Sequence, residues 1–323
     1  MTPRVASLVP SATEILAAIG GGPLLVGRSH ECDYPASLEG VRVLTSQKIS
    51  GRDPAEIDRQ VRGQLASGQS LYTLDRELLR ELRPDVILTQ DLCSVCSIDL
   101  RTVEAMTAEW DHPPAIVSLN PASLDDVLDS MLKIGEAVGL AGPATELVVR
   151  TRERFYAASE FVNPYDDGPS VAFLEWTDPL FIGGHWIPQM IERAGGRHPL
   201  NPTIPAADAG TASGPQQASR RAGKSVRIDP SVLAALDPDA VVIAPCGVPL
   251  SGALDMARNL SNDARFSPLK AIRAGRVAVV DGNQMFSRPG PRLADAFEWL
   301  VGWIHGRAEL MPPDFPWSPL GRP

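Results

Sequence analysis

Leu82-Arg-Pro-Asp-Val-Ile-Leu-Thr-Gln90 and Leu236-Asp-Pro-Asp-Ala-Val-Val-Ile-Ala-Pro245 repeat one pattern at two distant places in the chain. In each, a helical stretch stops at leucine and Pro-Asp turns the chain. A continuous apolar run of strand length follows, with Cys93 or Cys246 just past its end. The echo implies two related α/β halves.

Working outward, apolar runs recur at Val5 to Val9, Leu24 to Gly27, Val41 to Leu44, Val86 to Thr89 and Ala115 to Leu119. Because they are continuous rather than alternating, they predict parallel strands buried on both faces. Helical patterns separate them at Ala12 to Ile19, Asp75 to Leu82 and Leu124 to Val138. A second series of the same kind begins at Val171 to Leu174 and continues with Ile187 to Ala194, Ser231 to Leu236, Ala240 to Ala244, Val277 to Val280 and Leu293 to His305. Between the series, Ala144 to Phe161 is built of strong helix formers without internal proline or glycine, which predicts one long connecting helix. The expected organisation is an N-terminal lobe over 1–140, the connector within 141–162, a C-terminal lobe over 163–306 and an irregular proline-rich tail over 307–323. Residues 206–224, rich in alanine, glycine and serine, read as a surface loop.

Composition fits this reading. The 323 residues are 44% hydrophobic and 21% charged, enough for two ordinary domains. A net charge of -9 argues against nucleic acid or anionic lipid as partner and favours a small ligand. Four cysteines are too few for a disulfide scaffold. No run of 18 apolar residues occurs, so the chain is not expected to be membrane-embedded. The first residues run straight into strand-like sequence, with neither a signal-peptide pattern nor a cysteine for lipid attachment. The expected location is therefore the cytoplasm, with reduced thiols, or the periplasm if the start of translation lies upstream.

Ligands of open α/β sheets bind beyond the carboxyl ends of the strands. There the sequence offers Pro10-Ser-Ala-Thr-Glu14, Ser29-His-Glu-Cys-Asp-Tyr-Pro35, Thr45-Ser-Gln-Lys48, Gln90-Asp-Leu-Cys-Ser-Val-Cys96, Glu175-Trp-Thr-Asp178, Gly183-Gly-His-Trp186, Pro245-Cys-Gly247 and Asp281-Gly-Asn-Gln-Met-Phe-Ser-Arg288. Ser11 or Thr13 reads as a helix cap, a role compatible with binding a polar ligand group. Cys93-Ser-Val-Cys96 lacks a second CxxC. With His30, Cys32 and Cys246 it supplies soft ligands for zinc, another soft metal or an iron–sulfur cluster, if the halves close on one another. Packed thiols and a redox disulfide are the alternatives. Trp176, His185, Trp186 and Phe286 are candidates for an apolar wall or for core packing. Gly223-Lys-Ser225 imitates the end of a Walker sequence, but position 218 is alanine and no strand leads in. Neither a Gly-x-Ser-x-Gly elbow nor a His-x-x-x-His pair is present.

Arg4-Val-Ala-Ser-Leu-Val-Pro-Ser-Ala-Thr-Glu-Ile-Leu16, His30-Glu-Cys-Asp-Tyr-Pro35, Leu82-Arg-Pro-Asp85 and Phe181-Ile-Gly-Gly-His-Trp-Ile-Pro188 with Ala194-Gly-Gly196 resemble the cobalamin and ferric-siderophore substrate-binding proteins of ABC importers, above all the cobalamin branch. The resemblance spans residues 4–303. It implies two Rossmann-like lobes joined by one long helix, a non-enzymatic clamshell holding a corrinoid or related metal chelate, and an ABC permease as partner. By motif, the ligand-facing positions implied are Pro10, Ser11, Thr13, Tyr34, Ser46, Gln47, Gln90, Asp91, Trp176, His185, Trp186, Phe286 and Arg288. Gln47 stands where the family has an aromatic. The four cysteines and the missing export signal depart from the family pattern. They leave open a cytoplasmic derivative, or a metalloprotein using Cys32, Cys93, Cys96, Cys246 and His30.

Overall fold

The structure, a computed structural model, describes all residues except 1, 50, 52, 67–69, 92–97, 99, 207–219 and 322–323. It divides into two compact units. One comprises Met1–Pro121 with Asp125–Thr151, the other Ala122–Leu124 with Arg152–Pro323.

The first unit runs β1 (Val5–Ser7), α1 (Pro10–Ala18), β2 (Leu25–Arg28), β3 (Arg42–Val43), β4 (Thr45–Gln47), α2 (Pro54–Ala66), β5 (Tyr72–Leu74), α3 (Arg76–Leu82), β6 (Val86–Thr89), α4 (Leu100–Thr107), β7 (Ala115–Ser118), α5 (Leu124–Ala137) and the start of α6 (Ala141–Ser159). Its five-stranded sheet has the order β3-β2-β1-β6-β7, and every pairing in it is parallel. The strand order reverses between β1 and β6, which makes the crevice past their carboxyl ends the natural ligand position. Both strands are fully buried, as continuous apolar runs require. A separate antiparallel pair joins β4 to β5.

α6 starts at Ala141, three residues ahead of the expected Ala144. Pro143 sits within its first turn, where a missing N–H costs nothing. The boundary between the units falls inside this helix, after Thr151. Residues 122–124 group with the second unit because the Leu124 N–H donates to Gln189 Oε1 at 2.9 Å.

The second unit continues with β8 (Val171–Thr177), β9 (Leu180–Ile182), α7 (Trp186–Arg193), β10 (Ile204–Pro205), β11 (Arg220–Arg221), β12 (Val226–Arg227), α8 (Pro230–Leu236), β13 (Ala240–Ile243), α9 (Leu250–Asn262), α10 (Lys270–Ala274), β14 (Val277–Val280), α11 (Leu293–His305) and β15 (Trp317–Pro319). The sheet order is β12-β9-β8-β13-β14-β15. Here the parallel reading holds only for the centre, β8, β13 and β14. Strands β9, β12 and β15 are antiparallel to their neighbours.

The proline-rich end is not wholly irregular. Trp317–Pro319 pairs with β14, because Trp317 packs against Trp299 of α11 at 5.4 Å between ring centroids and Pro319 lies in an edge strand, where proline is tolerated. Most of α11 is buried, so its polar face is minimal. The helices α2, α4 and α9 were not evident as periodic patterns. α9 buries Ala253, Met256, Ala257 and Leu260 at helical spacing, but alanine gives a weak apolar signal. Of the expected 206–224 loop, residues 207–219 lie outside the described residues, while Arg220–Arg221 forms a short antiparallel pair with Ile204–Pro205. Among the described residues no helix is long and apolar enough to cross a membrane.

Candidate functional site

In the first unit, β1 delivers the chain into α1 with Pro10 at the first helical position, and no side chain caps the helix. Ser11 and Thr13 therefore do not act as caps, because the helix starts ahead of both. The hydroxyls instead form a buried relay: Ser7 Oγ donates to Val9 O at 3.1 Å, Thr13 Oγ1 lies 2.8 Å from Ser7 Oγ, and Cys32 Sγ lies 3.0 Å from Thr13 Oγ1. With one proton per group, the sense that satisfies all is Cys32 to Thr13 to Ser7 to Val9.

The loop after β2 is fixed by Arg28, whose guanidinium donates to the carbonyl oxygens of Leu38 (3.2 Å), Ser29 (3.3 Å) and Cys32 (2.9 Å). Tyr34 precedes a cis proline and is 46% exposed. Thr45 Oγ1 gathers the other half of the loop: it lies 2.9 Å from Ser29 Oγ, 3.0 Å from the His30 backbone N and 2.7 Å from His30 Nδ1. The His30 ring is 5.6 Å from that of Tyr72, whose hydroxyl donates to Glu31 Oε1 at 3.0 Å. Thr45, Tyr72 and Glu31 were not among the expected site residues.

Gln90, just past β6, is buried, and the exposed Asp91 donates its backbone N–H to Asn120 Oδ1 at 2.7 Å. Ser46 and Gln47 lie exposed on β4, with the Ser46 hydroxyl bonded to Thr73. Three enclosed side-chain atoms, Ser11 Oγ, His30 Nε2 and Thr89 Oγ1, have no hydrogen-bond partner among the described residues. They belong to the carboxyl ends of β1, β2 and β6, three adjacent strands.

In the second unit, Glu175 near the end of β8 ties two loops together. Its Oε1 accepts from the Gly184 N–H at 3.3 Å and its Oε2 from the Ser225 hydroxyl. A Cβ at Gly184 would lie 2.3 Å from Ser225 N and 2.4 Å from Lys224 C, so only glycine allows the two backbones to approach. His185 follows with φ 56° and ψ -116°, a conformation costing on the order of 1–3 kcal/mol in a non-glycine residue. Its N–H donates to Gly223 O at 2.8 Å. Burial, and then the Lys224 cation, hold its imidazole below the usual pKa, and Nε2 is enclosed without a partner.

Trp186 opens α7 and is buried, its indole donating to Phe286 O at 2.8 Å. Phe286, 1% exposed with φ 64°, packs edge-on to Phe173 at 5.0 Å and Trp299 at 6.0 Å. Both aromatics thus stand inside the unit. Trp176 is partly exposed and donates to Asp178 O at 3.0 Å, and Arg288 is buried within 3.2 Å of Asn283 Oδ1.

Of the candidate metal ligands, His30, Cys32 and Cys246 lie among the described residues. Cys32 is buried in the first unit and engaged with Thr13, Cys246 is exposed in the second, and Cys93 and Cys96 lie outside the described residues. Among the described residues no three histidine, cysteine or carboxylate groups are placed to hold an ion. The alternative of a cysteine-held zinc or cluster gains no support.

A family model described as periplasmic binding protein matches residues 5–283. The chain belongs to the periplasmic binding protein family. No curated protein sequence matches it significantly. Among solved structures, this periplasmic binding protein is similar to a periplasmic haem-binding protein from Pseudomonas aeruginosa at 20% identity and TM-score 0.66, over 100% of this chain and 96% of the other. It is also similar to the periplasmic vitamin B12-binding protein of Vibrio cholerae at 16% identity and TM-score 0.63, over 95% and 98% of the two chains. A third is the haem-binding RhuT of Roseiflexus sp. RS-1, at 21% identity and TM-score 0.63, over 95% and 100%. At these identities the likeness is one of fold, and it agrees with the expected two-lobed α/β class.

Membership overturns the expectation of a cytoplasmic protein, since the family and these solved relatives are periplasmic. That expectation rested on the first residues.

Proposed function

We propose that this periplasmic binding protein captures a corrinoid, or a closely related planar metal chelate, and presents it to an ABC permease. It is a binding protein, with no chemical step assigned. The observation that carries the reading is the set of enclosed, unpartnered polar atoms Ser11 Oγ, His30 Nε2 and Thr89 Oγ1 at the carboxyl ends of three adjacent parallel strands. Buried polar groups are normally partnered, and three lacking partners among the described residues at the switch point of one sheet support a polar ligand there.

Solved relatives that bind haem and vitamin B12 support the substrate class, as do the sequence motifs shared with the cobalamin branch. Pro10, Ser11, Thr13, Tyr34, Gln90 and Asp91 of the first unit, and Trp176, His185 and Arg288 of the second, are the positions proposed to face the ligand. Ser46 and Gln47 extend the first set. Trp186 and Phe286 act from beneath, holding the His185 loop through their mutual hydrogen bond.

The test is titration of the ligand-free protein with aquacobalamin, diaquacobinamide, haemin and a ferric siderophore, followed by absorption and calorimetry. Micromolar or tighter uptake of a corrinoid or haemin is expected. Uptake of none of the four overturns the proposal, and uptake of the siderophore alone overturns the planar-chelate assignment.

A further inference from the structure

We propose that His30 is the protein's own donor to the metal of the captured chelate, and that Thr45 is the positioning residue that makes its Nε2 available. The inference rests on the function proposed above. Thr45 Oγ1 has one proton and two lone pairs to share among three neighbours, Ser29 Oγ, the His30 N–H and His30 Nδ1. The His30 backbone N–H takes one lone pair.

Two proton arrangements remain. In the first, Thr45 donates to Nδ1, and Nε2 carries a hydrogen that faces no acceptor among the described residues. In the second, Nδ1–H donates to Thr45, Thr45 donates to Ser29, and Nε2 presents a bare lone pair. An enclosed N–H without an acceptor is the less tolerated state, and we assign the second. A neutral imidazole with one nitrogen anchored by a hydrogen bond and a lone pair on the other is the form in which histidine binds metals.

The anchoring pair is built across elements. Thr45 opens β4, whereas His30 lies in the loop that Arg28 pins after β2. Nε2 is enclosed, so packed neighbours must shift as the chelate arrives, and the Tyr72 ring, its centroid 5.6 Å from that of His30, is one of them. Coordination is a ligand exchange: a water leaves the metal, the Nε2 lone pair takes its place, and no electron is transferred.

The probe is cobinamide, a corrinoid that carries no base of its own. Its diaqua form has exchangeable axial positions, and its dicyano form has both blocked. In the unmodified protein, bound cobinamide reduced to cobalt(II) should show splitting from one axial nitrogen in its paramagnetic resonance spectrum. His30→Ala should abolish that splitting and weaken diaquacobinamide binding at least tenfold more than it weakens dicyanocobinamide binding, and equal weakening of the two would overturn the inference. Thr45→Val should weaken diaquacobinamide by about 10–100-fold, the usual effect of losing a partner that orients a metal ligand. Cobinamide bound with no axial nitrogen in the unmodified protein overturns the role of His30 without touching the proposed function, and needs no variant to fold. A nitrogen signal that survives in His30→Ala assigns the donor elsewhere and overturns it equally. If aquacobalamin, cobinamide and haemin are all refused, both proposals fall together, whereas uptake of aquacobalamin without cobinamide keeps the proposed function and overturns the role of His30. If haemin alone binds, the shift of its absorption on ligation by one histidine nitrogen and loss of that shift in His30→Ala replace the cobalt readout, and an unchanged spectrum overturns the inference.

Discussion

Asp239 Oδ2 accepts both the backbone N–H of Ser170, at 2.7 Å, and its hydroxyl, at 2.6 Å, so the residue ahead of β13 fixes the residue ahead of β8. Asp85 does the same in the other unit, its Oδ2 accepting the Arg4 N–H at 2.7 Å ahead of β1. The echo in the sequence is thus a structural device. The Pro-Asp carboxylate aligns the start of a central strand with its parallel neighbour. The turn residues match too, since Arg83 and Asp237 both adopt φ 44°.

Replacing Asp239 by alanine strands two donors of Ser170, and the expected loss is about 1–3 kcal/mol. Asp239→Asn, which keeps an acceptor oxygen, should lose less. Urea unfolding midpoints check the order, and an alanine variant as stable as wild type would show that the tie contributes nothing. The Ser170 hydroxyl, then the Lys270 ammonium, hold the Asp239 carboxyl well below the usual carboxylate range. A depressed carboxyl stabilises above its unfolded value, about 3.9, and the effect is lost as the pH falls through the folded one. The gap between wild type and Asp239→Ala should therefore narrow only on acidification below about pH 4.

A second acid effect sets in at milder pH. His198 is enclosed with Nδ1 2.9 Å from Val171 O, and burial holds its pKa below the ordinary imidazole value, as it does for His185. For a base depressed in the folded state, the unfolded chain binds more protons. Stability is then full above about pH 6.5 and falls as the pH drops. The expected slope is at most about 1.4 kcal/mol per pH unit for each histidine, read from unfolding free energies between pH 7 and 5. Removing His198 as His198→Asn should flatten the slope, and a slope unchanged in that variant would remove His198 from the account.

Gly184→Ala tests the approach of the His185 loop to Ser225. Its Cβ meets backbone atoms at 2.3 and 2.4 Å, which no side-chain rotation relieves. The expected cost is about 1–3 kcal/mol, with loss of chelate uptake as His185 is displaced. Gly40→Ala, which meets nothing within 4 Å, should change stability by less than about 0.5 kcal/mol. Equal behaviour of the two variants in thermal unfolding and in binding would refute the steric argument.

Much of the fold was readable because strands such as Val86–Thr89 and Val277–Val280 are continuous apolar runs, and burial on both faces leaves that mark. The site was less readable. The contact of His30 with Thr45 depends on how the end of β2 meets the start of β4, a matter of register that no local pattern carries. Ser11 looked like the cap of a helix beginning at Ala12, whereas proline at the first helical position starts α1 two residues earlier. Phe286 and Trp186 read equally as an apolar wall or as core because no local pattern carries the contacts that hold them, Phe286 against Phe173 and Trp299 and the Trp186 indole on Phe286 O. The same reason hid β15, whose tryptophan is drawn into the sheet by Trp299 rather than by any strand propensity.

The aromatic cluster that captures β15 supplies the last prediction. Trp299 is fully buried, stacked on Trp303 at 5.6 Å and on Phe315 at 5.0 Å, with Trp317 edge-on. Trp299→Ala opens a cavity at the centre of this cluster and should cost about 3–5 kcal/mol. Trp317→Ala should cost less, because Trp317 is only half-buried at the sheet edge and the space it leaves is open to water. It should nevertheless detach β15 from β14 and expose Trp303 and Phe315, giving a red-shifted tryptophan emission and faster amide exchange along Val277–Val280. If emission and exchange are unaltered in Trp317→Ala, backbone pairing alone holds the strand, and the packing argument for why the chain's proline-rich end is ordered is wrong.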